Sequence, residues 1–188
     1  GGLVVHAISG VAALICAIVL GPRKRPAPPH NLAMTLTGAG ILWFGWFGFN
    51  AGSAISSGGI AAFALINTHI AAAMAMLSWL LVEKIKHGKP TALGAASGLV
   101  AGLVVITPCA GFVSPQSSVA IGLLGGAICF GGVMLKSKFK YDDALDAFGV
   151  HGVGGTLGAL VTGFLATTEA NANLATNLGS IVGKTLWL

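Results

Sequence analysis

Two histidines stand where a polar side chain is hardest to keep. His6 lies in the apolar run VVHAISGVAAL and His151 in GVHGVGGTLGAL. A polar side chain in a membrane span is costly, and it faces a cavity or a partner. Two neutral imidazoles facing each other can share a proton, one ring donating and the other accepting. Such a pair can line a narrow path for a small polar molecule, or relay a proton. The alternative is two unrelated rings, each bonded to a helix carbonyl. A second group, Trp46, Phe47 and Phe49, lies in GWFGFNAGSA among Gly45, Gly48, Asn50, Gly52 and Ser53. Aromatic clusters in spans are commonly core or interfacial belt, yet this many small residues is odd for a surface facing lipid. Small residues let a helix approach a pore axis. There the aromatic faces can attract a cation or block the lumen, and the Ser53 oxygen can accept a hydrogen bond from it.

The remaining polar groups suggest structure. Asp146 sits near the start of the last apolar run, where a carboxylate caps a helix and negative charge is favoured. Asp142 and Asp143 precede it and are expected to be solvated. His30 and His87 fall in connecting segments, and His69 is expected to serve a helix contact. Cys16, Cys109 and Cys129 have no metal-ligand spacing and read as small packing residues. Neither a metal nor a cofactor is expected.

The elements that position these groups must be membrane helices. Hydrophobic residues make up 55% of the chain and charged residues only 8%, against about 25% charged in a soluble domain. The mean hydropathy is +0.88. The apolar runs are continuous and do not alternate, which favours helices over barrel strands. Six spans are expected, at about 1–20, 32–55, 60–82, 92–106, 119–135 and 144–166, with 167–188 incomplete. Glycine, 29 of 188 residues, follows helical spacing at Gly94, Gly98 and Gly102, at Gly122 and Gly126, and at Gly154 and Gly158. Such ridges let helices pack closely in lipid.

Charge sets the orientation. Nine of the ten basic residues fall in loops 21–31, 83–91 and 136–143 or at their edges, and the intervening loops carry none. The positive-inside rule places those three loops in the cytoplasm. The net charge of +5 is therefore a membrane signal and not a nucleic-acid one. At ~1.5 Å per residue, His151 lies about 12 Å from Asp143 and His6 about 22 Å from the first basic loop, so both fall near mid-membrane. Val5, His6 and Gly10 match Val150, His151 and Gly155 in spacing, on helices expected to run in opposite directions. That is the mark of an inverted repeat, whose substrate site lies between the repeats near the midplane. The chain opens on Gly1 and Gly2 inside an apolar run, without an initiator Met. It is expected to be a piece of a longer protein.

The segments GWFGFNAGSA, TPCAGFVSP and DDALDAFGVHGVGGTLGALVTG resemble the signature segments of the ammonium transporter (Amt/Mep/Rh) family. PHNLAMTLTGAG and NTHIAAAMAMLSWL are similar to it as well, so the likeness covers essentially the whole chain. The resemblance implies an all-α, polytopic transmembrane bundle. It would be part of an eleven-span inverted-repeat fold, of which this chain holds spans five to ten. It implies that His6 and His151 are the twin pore histidines, that Trp46 lines the pore beside them, and that Phe49 is one of two gating phenylalanines. Ser53 would be the hydroxyl of the outer ammonium-recruitment site, and Asp146 a structural acid. It implies conduction of ammonia or ammonium rather than enzymatic catalysis, a homotrimer when full length, and a PII-type regulator at the cytoplasmic loops. By the same resemblance, the first four spans and the last are expected to lie outside this chain, with the second gating phenylalanine, the recruitment tryptophan and an aspartate of span five. Alone, this piece would not enclose a complete pore. Other readings are an ammonium sensor with a cytoplasmic partner and an inactive fragment. An aquaporin is disfavoured, because Asn31-Leu32-Ala33 is no Asn-Pro-Ala motif.

Overall fold

A computed structural model describes residues 2–25, 27 and 29–174. Among these residues the regular structure is helical throughout: α1 (Gly2–Leu20), α2 (Leu32–Gly52), α3 (Gly59–His87), α4 (Ala92–Ile106), α5 (Pro115–Phe139), one π-helical turn (Phe148–Gly152) and α6 (Val153–Leu165). The expected unfinished element at 179–188 lies outside the described residues.

The helix starts follow local side-chain chemistry. Asn31 Oδ1 accepts the Met34 N–H at 2.9 Å, and Thr91 Oγ1 accepts the Gly94 N–H at 2.9 Å. Ser114 Oγ accepts the Ser117 N–H at 3.2 Å, with Pro115 in the first turn of α5. Each side chain satisfies a donor that helix geometry leaves free. α3 is closed just after its last residue by Gly88, whose φ of 82° puts it in the left-handed region that glycine enters without strain. Glu83, near that end, accepts both the backbone N–H and the hydroxyl of Thr91, at 2.9 and 2.8 Å, and so ties α3 to the start of α4.

Five helices are long and apolar enough to cross a membrane, the last of them counted from Phe148 to Leu165. α4 has 15 residues, about 22 Å at ~1.5 Å each, short of a ~30 Å hydrocarbon core. It is nevertheless the centre of the bundle: Ala101, Leu103, Val104, Val105 and Ile106 are fully buried. Beyond Ile106 the chain runs on as turns through 113, with Cys109 and Val113 also fully buried. Irregular backbone at that depth survives only where protein satisfies its polar groups. Asn67 of α3 does so, donating from Nδ2 to the carbonyls of Ala110 (2.8 Å) and Val113 (2.7 Å).

Small residues bring the helices close. A Cβ placed on Gly122 of α5 would lie 2.6 Å from the Ala71 carbonyl oxygen of α3, and one on Gly102 of α4 would strike the same oxygen. α1 meets α6 through a reciprocal arrangement. A Cβ on Gly10 would overlap the Gly152 backbone beside His151, and one on Gly155 would lie 2.6 Å from His6 Cβ.

Several sequence expectations change at the edges of these elements: α3 runs to His87 rather than to 82 and so takes His87 out of the connecting segment, and α5 covers Pro115–Phe139 rather than 119–135. The second helix stops at Gly52 rather than at 55, leaving Ser53 just beyond its end. The last helix begins with a π turn and not at 144, because Asp146 takes a left-handed φ of 58° and breaks the preceding backbone. The carboxylate that caps it is Asp143, not Asp146. Asp143 is 6% exposed rather than solvated, and it accepts the N–H groups of Ala147 (3.1 Å) and Phe148 (2.7 Å). Asp146 instead forms an ion pair with Lys136 of α5.

Candidate functional site

α1 brings His6 to the middle of the bundle on a face whose buried members are Gly2, His6 and Gly10. The π turn brings His151 to the same place from the opposite side. A π turn widens the helix by one residue and frees backbone groups. Gly149 lets it lie against α5, since a Cβ there would be 2.6 Å from the Val133 nitrogen. The two Nδ1 atoms are 3.1 Å apart, within hydrogen-bond range, so one ring donates and the other accepts. The ring centroids are 5.2 Å apart and tilted by 33°. His6 is 3% exposed, and its Nε2 is buried without a partner among the described residues.

Trp46 covers His6 as a parallel stack, with centroids 5.5 Å apart and planes within 9°. Its indole N–H donates to Thr107 Oγ1 at 2.9 Å, and that hydroxyl donates to the Leu103 carbonyl at 2.7 Å. The ring is thereby anchored where α4 gives way to turns. Phe49 meets His6 edge-on at 6.3 Å and Trp46 edge-on at 5.6 Å. His6, His151, Trp46 and Phe49 therefore form one cluster, whereas Phe47 lies apart from it and meets His69 at 6.0 Å.

Beside this cluster lies a cavity of about 520 Å³. Val5, Phe49, Asn50, Ser53, Thr107 and Phe112 contribute to its lining, and neither histidine does. Phe49 therefore borders the cavity on one side and His6 on the other. Ser53 Oγ donates to the Phe49 carbonyl at 2.6 Å, which leaves its lone pairs free to accept. Asn50, 7% exposed, donates from Nδ2 to Thr68 Oγ1 at 3.0 Å, and Thr68 donates to the Ala64 carbonyl at 2.6 Å. The segment after α6 closes over the same end, with the Thr167 N–H donating to the Phe112 carbonyl at 2.8 Å.

Other singled-out residues lie apart. His69 stacks on Trp43 at 5.1 Å, a helix–helix contact between α3 and α2. His87 is the last residue of α3 and meets Phe130 of α5 at 5.8 Å. Asp146 sits at the far end of the π turn. Sequence reasoning did not pick out Thr107, Asn67 or Asp143. Their signal is chemical, since a buried hydroxyl, amide or carboxylate must have partners; for Thr107 and Asn67 those partners are remote in sequence, and for Asp143 they are the N–H groups four and five residues on.

The family model described as the Ammonium Transporter Family matches residues 1–187. An ammonium transporter of Bacillus subtilis is 59% identical over 175 residues, which cover 92% of this chain and 43% of that protein. Crystalline Saccharomyces cerevisiae Mep2 superposes with a TM-score of 0.86 at 43% identity, covering 92% of this chain and 41% of that one. A structure titled Sensor Amt Protein superposes with a TM-score of 0.84 at 36% identity, covering 90% of this chain and 44% of that one. The chain thus spans less than half the length of each. With the family model matched almost end to end, and with helices built to cross a membrane, this chain belongs to the Ammonium Transporter Family of multi-pass membrane proteins.

Proposed function

We propose that the full-length protein conducts ammonia or ammonium through a narrow hydrophobic pore, and that this chain supplies one side of its lining. The observation that carries the reading is the 3.1 Å approach of His6 Nδ1 to His151 Nδ1 from two different helices. Ammonium enters the cavity beside Phe49, held by the aromatic face and by the Ser53 oxygen. It gives up its proton there, and ammonia passes Phe49, stacked Trp46 and the histidine pair. The imidazoles accept from and donate to the solute, and their shared hydrogen bond offers the proton a separate route. Selectivity rests on small size and hydrogen bonding, since a hydrated potassium ion finds too few oxygens there to replace its water. Asp146 is structural, through Lys136. The chain represents spans five to ten of eleven as one partial domain, with loops 21–31, 83–91 and 136–143 in the cytoplasm. The full protein assembles as a homotrimer and presents those loops to a PII-type regulator.

A second reading is an ammonium sensor that signals to a cytoplasmic partner, favoured by the likeness to the Sensor Amt Protein. Uptake of ammonium and methylammonium by the full-length protein in lipid vesicles tests both. His6→Ala and His151→Ala are expected to change flux or its discrimination against potassium. Unchanged flux and discrimination in both variants would remove the pore assignment. No flux in the parent, with ammonium binding intact, would favour the sensor.

A further inference from the structure

The segment from Tyr141 to Ala147 is short, yet its three aspartates bind three different elements. Asp143 holds the first N–H groups of the turn that carries His151, and Asp146 holds Lys136 of α5. Asp142 reaches across to Arg23, 119 residues away and just beyond the end of α1. Its Oδ2 accepts the Arg23 backbone N–H at 2.7 Å and Nε at 2.8 Å, while Oδ1 accepts Nη2 at 2.8 Å. A guanidinium fork on a carboxylate fixes direction as well as distance, and the backbone bond ties the main chain of the loop to the same group.

The need for such a tie is visible on α1. Its buried residues are Gly2, His6 and Gly10, and from Val11 to Leu20 none is buried. The upper half of α1 is held by the contacts of Gly10 and Gly155. In the lower half only Ala13, Leu14 and Ala17 are even partly covered, and Arg23 ties that end through its hydrogen bonds to Asp142. A helix held at one point pivots, and a helix held at two keeps its tilt. The hydrogen bond between the rings fails once the nitrogens separate beyond about 3.5 Å, so small changes in tilt reach the site.

We propose that Arg23 and Asp142 are positioning residues, a two-point clasp that holds α1 in register with the π turn so that His6 meets His151. The inference rests on the reading of those histidines as pore lining. It adds that the cytoplasmic loops on either side of the conduit set its geometry from outside the bilayer.

The test uses full-length protein in vesicles, with initial methylammonium uptake normalised to folded protein. Arg23→Ala and Asp142→Asn are each expected to lower the maximal rate by about threefold or more, the scale of an ion pair at the low-to-middle end of surface strength. The half-saturating concentration should stay unchanged, because Ser53 and Phe49 lie at the opposite end. The exchanged pair Arg23→Asp with Asp142→Arg restores the ion pair but leaves no acceptor for the backbone N–H of residue 23, so it is expected to recover part of the rate. The nitrogen-15 signal of the hydrogen-bonded Nδ1 should weaken or split in the single variants and return in the exchange. Single variants at the parent's rate with the Nδ1 signal intact would overturn the clasp, and so would an exchanged pair no better than either single change. His6→Ala assayed alongside separates the two readings. If it alters transport while the Arg23 and Asp142 variants do not, the pore assignment stands and the clasp falls.

Discussion

Gly155 of α6 lies against the backbone of His6, and a Cβ there would be 2.6 Å from His6 Cβ. The reciprocal contact puts Gly10, four residues after His6, against the peptide between His151 and Gly152. Each histidine is thus followed one helical turn later by the glycine that admits the other histidine's helix. Gly10→Ala is therefore expected to be disruptive, since its methyl would meet backbone that cannot rotate away. Overpacking of this kind costs about 1–3 kcal/mol. Gly38→Ala, with open space around it, is the control. Thermal unfolding of detergent-solubilised full-length protein should show a clear loss for Gly10→Ala and little change for Gly38→Ala. Equal unfolding temperatures would mean that the two helices are not in this contact.

Asn67 is fully buried and holds the carbonyls of Ala110 and Val113 with one amide nitrogen. Asn67→Ala leaves both carbonyls without that donor at membrane depth, a loss of about 2–4 kcal/mol by the cost of orphaned buried groups. Asn67→Asp has nearly the same shape but replaces the nitrogen with an acceptor, so it should unfold at a lower temperature than Asn67→Ala. The opposite order would show that volume, and not the two hydrogen bonds, matters at this position.

The meeting of His6 and His151 was legible in the sequence because three signals agreed. The runs were too apolar for water, the basic loops alternated, and the Val-His spacing repeated in helices of opposite direction. The placing of Trp46 and Phe49 beside the histidines came from the family resemblance and not from the glycines around them, since Gly45, Gly48 and Gly52 have open space where a Cβ would sit. The π turn was not legible, since one extra residue in a helical turn has no marker beyond its glycines. Choosing among Asp142, Asp143 and Asp146 needed the backbone. Asp146 adopts a left-handed φ of 58°, which puts the capping geometry on Asp143 three residues earlier. Thr107 and Asn67 stayed hidden because each answers a polar group created where α4 stops short.

Arg23 holds the Asp142 carboxyl below the usual carboxylate range, first through its side-chain hydrogen bonds and then through its backbone N–H, with Lys136 as the other facing cation. The folded value is the lower one, so the pair's contribution is complete above the ordinary aspartate range and lost as pH falls through the depressed value. Acidifying the cytoplasmic side from about pH 7.5 to about pH 5.5 stays above both. The ratio of parent uptake to Arg23→Ala uptake should therefore be constant over that interval. A ratio that collapses toward one by pH 5.5 would show that Asp142 is not held as described.

Trp46 donates its indole N–H to Thr107 while its face stacks on His6. Those two roles separate by mutation. Trp46→Phe keeps an aromatic face but removes the donor, and Thr107→Val removes the acceptor and strands a buried N–H. The second change should cost about 1–3 kcal/mol, the usual penalty for a buried donor left unpaired. Once the donor is gone, Thr107→Val has much less to lose, so the double variant should be more stable than the sum of the singles predicts, by about 1 kcal/mol. Thermal or denaturant unfolding of the four proteins measures that difference directly. Strict additivity would mean that the indole is held in place by packing alone. Uptake by Trp46→Phe would then read the stacked face by itself, because the bond to Thr107 would have no part in positioning it.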